Sequence, residues 1–157
     1  MPRFRPTTLE MVTRLAYAAS RVPGGVELRH DIVVGTPEGR ALRMLVARPK
    51  LIARGRKLPA VAYIFGGGWE RGSPEQGIIA IVALALRGYI GVSIDYRLRH
   101  EATFPAQLHD CKCAIRYLRA HASELRLDPD HIGVVGLSSG GHLAALLGTT
   151  ANKPDLE

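Results

Sequence analysis

A serine with glycines two positions before and after it occurs in the run Gly136-Leu137-Ser138-Ser139-Gly140. A serine nucleophile can project from a very sharp strand-to-helix turn only if these neighbouring positions are small. The helix that follows such a turn directs its positive N-terminal end toward an oxyanion forming beside the serine. The spacing therefore predicts Ser138 as a nucleophile for acyl transfer, with the backbone amide of Ser139 as an oxyanion donor.

Ser139 is the alternative nucleophile, and a glycine-rich turn without any chemistry is the alternative interpretation of the whole run. The spacing centred on Ser139 would need glycine at position 137, which is leucine, although Gly141 fits its far side. The motif has meaning only between a buried strand and a helix, and both are predicted independently around it.

A second glycine motif, Phe65-Gly66-Gly67-Gly68-Trp69, follows a short apolar run. Tandem glycines let backbone amides approach a substrate closely, and each oxyanion donor of this kind contributes on the order of 3–4 kcal/mol. The segment does not match the phosphate-binding patterns, because no Gly-Lys-Ser/Thr follows and GxGxxG is not met. Gly68 and Trp69 are expected at substrate-binding positions.

Alternating strands and helices are predicted to position both motifs. Short apolar runs predict strands, and apolar side chains at 3–4-residue spacing predict helices. This alternation predicts an α/β fold, with a mostly parallel sheet flanked by helices and an N-terminal antiparallel hairpin. Sites in such sheets lie at the carboxyl ends of the strands, where both motifs fall. The predicted strands are 27–34, 41–47, 60–65, 89–95 and 131–137, the predicted helices are 9–20, 73–87, 105–125 and 139–149, and a turn is predicted over 127–130.

Four segments together resemble the esterase and lipase branch of the α/β-hydrolases, especially its hormone-sensitive-lipase-like and feruloyl- or acetyl-xylan-esterase-like members. They are the glycine motif 65–69, the run 95–98, the segment from 104 to 110, and the run 136–144. The resemblance implies carboxylic ester hydrolysis without a cofactor. It implies Ser138 as the nucleophile and the amides of Gly66, Gly67 and Ser139 as the oxyanion hole. Phe65 stands where the family usually has histidine, so the loop is expected to persist without one polar anchor.

The remaining triad members are not evident in the sequence. This fold orders its triad as serine, acid, histidine along the chain, and only nineteen residues follow Ser138. His142 lies in the helix directly after the nucleophile and is expected to pack there rather than act as the base. Asp155 precedes the loop that should carry the acid. We therefore expect residues 1–157 to form a single, C-terminally truncated domain, and His100 is a candidate substrate contact.

Three functions remain open at this point. The first is a serine esterase for small acyl groups, present as a fragment or as one chain of a split enzyme. The second is a non-catalytic remnant that acts as an interaction module, and the third is a peptidase or amidase on the same scaffold. The strand at 132–137 would have one edge without a partner, which predicts a homo-oligomer or a swapped dimer through that edge.

Composition excludes several other classes. The chain has 157 residues, a formal net charge of +7 and 46% apolar residues, which suits one globular domain. The basic segment 48–57 contains no aromatic residue that could stack on bases, so it is interpreted as a solvated loop and no nucleic-acid partner is expected. The longest apolar run, 78–86, is too short to span a bilayer, and no membrane partner is expected.

Cysteine usage and the N-terminus bear on location. Cys111 and Cys113 are two residues apart on a predicted helix, where their side chains diverge, so neither a disulfide nor a zinc site is expected. Free thiols favour a reducing compartment. The N-terminus lacks the apolar core of a signal peptide, so a cytoplasmic location is expected, or secretion if a signal peptide has been removed.

Overall fold

The computed structural model describes residues 22–151 together with Lys153 and Leu156, so the helix predicted over 9–20 lies outside the described residues. The strands are β1 (Val26–Gly35), β2 (Leu42–Pro49), β3 (Leu58–Ile64), β4 (Ile90–Ile94) and β5 (Leu127–Gly136). The α-helices are α1 (Ile78–Leu86), α2 (Ala106–Ala120), α3 (Ala122–Leu125) and α4 (Ser139–Thr149), and short 3-10 turns cover Pro37–Gly39 and Pro74–Gly77.

The described strands form one mixed sheet in the order β1-β2-β4-β3-β5. β3 pairs in parallel with β4 on one side and with β5 on the other. The hairpin strands β1 and β2 are antiparallel, and β2 also pairs antiparallel with β4. The predicted α/β fold with an N-terminal antiparallel hairpin is therefore confirmed. Because β3 and β5 are parallel neighbours, the loops that leave their carboxyl ends emerge side by side.

Two apolar clusters cover the two faces of the sheet. Side chains alternate between faces along a strand, so Met44 and Val46 of β2 join the larger cluster with α2 and α4. Their neighbours Leu45 and Ala47 join the smaller cluster with α1. The helices therefore flank both faces, as doubly covered parallel strands require.

The helices differ from the predicted ones in their boundaries. The helix predicted over 105–125 is two helices, because His121 has φ −103° and ψ 18°. Its ring stacks on Tyr117 with centroids 3.8 Å apart, and Nδ1 lies 3.0 Å from the Tyr117 carbonyl. The first turn of the helix predicted over 73–87 is a 3-10 turn rather than α-helix, and α1 begins only at Ile78.

β5 begins earlier than predicted. Leu127 pairs with Leu58, and the next pair joins Ile132 to Ala60, so four residues of β5 bulge out between these pairs. The predicted turn over 127–130 is therefore wrong, since the chain is already in the sheet before the bulge. Asp128 stabilises the bulge by accepting hydrogen bonds from the Asp130 amide at 3.2 Å and from His131 Nδ1 at 2.9 Å.

The turn from β5 into α4 depends on a close backbone crossing. A Cβ atom on Gly140 would overlap the carbonyl oxygen of Ile64, and a Cβ on Gly136 would overlap the carbonyl of Gly140. Gly148, near the end of the same helix, has open space in the direction of a Cβ. Gly136 and Gly140, unlike Gly148, therefore allow α4 to lie close against β3 and β5.

Two of the three glycines in α4, Gly140 and Gly148, are expected to respond to alanine in opposite directions. Gly140→Ala should lower the free energy of unfolding by about 2 kcal/mol, because the new methyl group overlaps fixed backbone. Gly148→Ala should raise it by roughly 0.5 kcal/mol, because alanine favours helix and meets nothing. Urea unfolding of both variants measures this, and equal effects would contradict the crossing.

Candidate active site

Leu137 and Ser138 are the two residues between β5 and α4, and Ser138 is the N-cap of α4. Its backbone has φ 52° and ψ −119°, a strained conformation for a residue with a side chain. The residue is exposed, whereas Ser139 beside it is buried. A Cβ built on Gly66 would lie 3.3 Å from the Ser138 Cβ, so the glycine loop runs directly against the serine. The Ser138 hydroxyl is therefore exposed where the turn from β5 to α4 meets the glycine loop.

The glycine loop is a tight turn of its own after β3. The carbonyl of Gly67 accepts the amides of Glu70 at 3.2 Å and Arg71 at 3.3 Å. Gly67 has φ +140°, and a Cβ there would overlap the Arg71 carbonyl, so no other residue fits this position. The amide of Gly68 donates to the Ser139 hydroxyl oxygen at 3.1 Å.

Phe65 lies under the loop and is fully buried. Its ring stacks on Tyr96 with centroids 4.3 Å apart and planes inclined by 13°. The Tyr96 hydroxyl donates to the Phe65 carbonyl at 3.0 Å. The aromatic residue at the start of the loop is therefore part of the core, and its backbone has a buried polar partner.

One buried and one partly buried ion pair hold the segment that follows β4. Asp110 of α2 accepts hydrogen bonds from the Arg97 amide, Nε and Nη2, each at 2.9 Å. Asp95 accepts two from Arg40, at 2.8 and 3.2 Å. Burial raises the pKa of Asp95, and the Arg40 guanidinium opposes that shift. These pairs tie the hairpin, β4 and α2 together beside the glycine loop.

The segment after β4 also contacts the far end of the glycine loop. The Arg99 amide donates to the Trp69 carbonyl at 2.7 Å, and the Arg99 side chain pairs with Glu70. The Trp69 ring meets His142 edge-on, with centroids 5.5 Å apart. His100 is exposed and next in sequence to Arg99. The structure thus brings Trp69 into contact with His142 of α4.

No histidine hydrogen-bonds the Ser138 hydroxyl within the described part of the chain. His142 donates its backbone amide to the Ser138 carbonyl at 3.0 Å, as the first turn of α4 requires. His131 contacts Asp128, and His121 contacts Tyr117. The Nε2 atom of His109 is buried without a hydrogen-bond partner among these residues.

The sequence assigned no role to Tyr96, Arg97 or Asp110 beyond the family resemblance. The sequence pattern that could have indicated them is a polar run directly after a fully buried strand, since such a run lies at the carboxyl edge of the sheet where sites form. Within the described ranges, no group of His, Cys, Asp and Glu side chains is arranged to hold a metal. None of the helices described is long and apolar enough to cross a membrane.

A strained serine between a strand and a helix, beside a glycine loop at the edge of a mixed sheet whose central strands are parallel, defines the α/β-hydrolase esterase fold. The chain belongs to the BD-FAE family, whose model matches residues 49–157.

Known esterases are similar to the chain in sequence and structure. Esterase LipC of Mycobacterium tuberculosis is 39% identical over 100 residues, which are 63% of this chain and 25% of that protein. Bacterial heroin esterase is 32% identical with a TM-score of 0.81, over 94% of this chain and 46% of that one. Thermogutta terrifontis esterase 2 phosphorylated by paraoxon is 35% identical with a TM-score of 0.72, over 88% and 52%. The chain thus spans about a quarter of LipC and about half of each solved esterase.

The buried pair between Arg97 and Asp110 is expected to matter far more for stability than an exposed one. Asp110→Asn should lower the free energy of unfolding by about 3 kcal/mol, because it removes the buried counter-charge of the guanidinium and leaves only the exposed Glu38, 3.5 Å away. Asp31→Asn removes the exposed partner of Arg43 and should change it by less than about 1 kcal/mol. Thermal unfolding at neutral pH measures both, and similar values would contradict the importance of burial.

Proposed function

We propose that the chain carries the nucleophile and oxyanion hole of a serine carboxylic ester hydrolase for small acyl groups. The observation that carries the proposal is the strained, exposed Ser138 beside the glycine loop. Ser138 Oγ attacks the ester carbonyl carbon and transfers its proton to a base. The carbonyl oxygen becomes an oxyanion that accepts the amides of Gly66, Gly67 and Ser139. The alcohol then leaves with a proton, and water hydrolyses the acyl-enzyme.

The substrate contacts belong to the same proposal. Gly68 is the exposed last glycine of the loop, and Trp69 comes directly after it. His100 lies in the segment that follows β4. All three are proposed to contact the substrate. The likeness to bacterial heroin esterase and to an esterase phosphorylated by paraoxon supports an ester-cleaving serine. The glycine loop leaves room beside Ser138 for a small acyl group, which is proposed as the acyl part of the substrate.

The acid and histidine of the triad are proposed to come from outside the described residues. Support for this comes from the described histidines, none of which hydrogen-bonds Ser138, and from the solved esterases, about twice as long as this chain. Residues 1–157 are accordingly proposed to be one part of a longer hydrolase domain. Without the base, the serine hydroxyl stays protonated and attacks slowly.

With imidazole added as an external base that takes the hydroxyl proton, Ser138 is expected to be the residue that paraoxon phosphorylates. Its oxygen displaces p-nitrophenolate from phosphorus, and peptide mapping by mass spectrometry locates the diethylphosphoryl group. Ser138→Ala should remove the label, whereas Ser123→Ala, at an exposed serine in α3, should keep it. A folded wild-type chain that takes no label would favour the non-catalytic interaction module instead.

The missing base is tested by chemical rescue. Added imidazole should raise the rate of p-nitrophenyl acetate hydrolysis by the wild-type chain on the order of tenfold above the Ser138→Ala background. An equal imidazole effect in both proteins would show only the reaction in solution. A matched amide substrate should remain uncleaved, which separates the esterase from an amidase.

We further propose that two copies of the chain pair through the free edge of β5. Among the described strands β5 is at one end of the sheet, and Val135 near that edge is 47% exposed. Two identical edges can pair around a twofold axis and close a dimer. β1 at the opposite end is less suited, because register shifts interrupt its pairing near Asp31 and Val34.

A lysine on each edge strand distinguishes the two surfaces. Val135→Lys should convert the dimer to a monomer, because charge on an edge strand opposes pairing. Val33→Lys is the matched control, since Val33 is 45% exposed on β1, and it should leave the dimer intact. Light scattering after size exclusion gives the mass, and a monomeric wild-type chain would refute this interface.

The location in the cell is proposed to be the cytoplasm. Support comes from Cys111 and Cys113, which are free thiols in the structure, as expected in a reducing compartment.

A further inference from the structure

The glycine loop is held at both ends by side chains from other parts of the chain. At its start, the Phe65 carbonyl accepts the Tyr96 hydroxyl at 3.0 Å. At its end, the Gly68 amide donates to the Ser139 hydroxyl oxygen at 3.1 Å. Gly66 and Gly67, the proposed oxyanion donors, lie between these two points. Their amides can aim at one oxyanion position only if both ends stay fixed.

The backbone geometry at Ser139 does not explain why this residue carries a hydroxyl group. The turn around Ser138 requires small residues, and alanine at 139 would satisfy that requirement. Ser139 is instead a hydroxyl residue that is 4% exposed, and a buried hydroxyl without a partner is costly. Its oxygen is the acceptor for the Gly68 amide, so one residue joins the nucleophile turn to the glycine loop.

The Tyr96 hydroxyl is suited to donate its hydrogen bond to the Phe65 carbonyl at any pH at which the protein is folded. It is fully buried and stacked on Phe65, which fixes the direction of its hydroxyl. Burial raises the pKa of Tyr96 to about 12, although the nearby Ser139 hydroxyl opposes the shift. The phenol therefore keeps its proton across the pH range in which the protein is handled.

We propose that Ser139 and Tyr96 are positioning residues that clamp the glycine loop in the geometry needed to stabilise an oxyanion. The inference rests on the proposed function, because the oxyanion belongs to the reaction of Ser138. Neither side chain needs to touch the substrate. Their effect passes through the amides of Gly66 and Gly67.

Amide hydrogen exchange, followed by NMR in the full chain, tests the clamp without any reaction. Ser139→Ala should speed exchange of the Gly68 amide about fivefold or more, since one net hydrogen bond is lost. Ser93→Ala is the matched control, because Ser93 is also buried and its hydroxyl donates to the Pro74 carbonyl at 2.7 Å, away from the loop. It should leave Gly68 exchange unchanged. Tyr96→Phe should instead shift the Gly66 amide signal, and it keeps the test valid if Ser139→Ala fails to fold.

A second test measures kcat and KM separately, because a purely structural role would not lower kcat alone. With p-nitrophenyl acetate, and imidazole present for both proteins, Ser139→Ala should lower kcat on the order of tenfold while KM stays within about twofold, because only transition-state stabilisation is lost. Tyr96→Phe should act in the same direction, and the double variant should be less than additive. Ser93→Ala should keep the wild-type kcat.

The outcomes separate the clamp from the proposed function. If paraoxon labels Ser138 but Ser139→Ala matches Ser93→Ala in exchange and in kcat, the clamp is wrong and the esterase stands. If the wild-type chain takes no label, the proposed function fails, and unchanged Gly68 exchange in Ser139→Ala would refute the clamp as well. Faster Gly68 exchange with an unchanged kcat would refute its role in oxyanion stabilisation.

Discussion

The close backbone crossing at the start of α4 is the constraint on which the site depends. Gly140 lies against the carbonyl of Ile64, so α4 starts in contact with β3 as well as with its own strand β5. That contact fixes the strained conformation of Ser138, which is sparsely populated for a residue with a side chain and persists only where the surroundings determine it. The same contact sets the serine against the glycine loop, because that loop continues directly from Ile64.

Next to this crossing, hydrogen bonds from polar side chains hold the glycine loop in place. Gly66, Gly67 and Gly68 have no side chain to pack, so apolar packing holds only the flanking Phe65 and Trp69. Tyr96 and Ser139 hold its ends, and the Arg97–Asp110 pair holds the backbone next to Tyr96. Buried ion pairs contribute little net stability compared with apolar residues of the same volume. Their fixed geometry is what the loop needs.

The sequence predicted the elements through periodicity and missed what depends on tertiary neighbours. The parallel strands, the hairpin and α4 follow from local patterns of apolar residues and glycines. The break at His121 and the bulge before Ile132 have no such pattern, because each results from contacts made in the folded sheet and helix layer.

The candidate site divides in the same way. Ser138 and the glycine loop are recognisable because backbone geometry restricts which residues fit, and glycine is visible in a sequence. The clamp is not recognisable, since Gly68 and Ser139 are 71 residues apart and either could have another partner. Tyr96 precedes an arginine in a polar run, and nothing local indicates that its hydroxyl points at Phe65.

The division between backbone and side chain also explains how this arrangement can exist although no described residue acts as a base in contact with Ser138. The proposed oxyanion donors are amides whose directions are set by strand order, a glycine turn and one helix, and all of these lie within the described residues. A general base needs only a side chain that reaches the serine hydroxyl, and it can be carried by any loop at the same edge of the sheet. The exposed Ser138 leaves its hydroxyl open to such a partner. The part of the site that must be built most accurately is therefore the part that the fold of this chain determines.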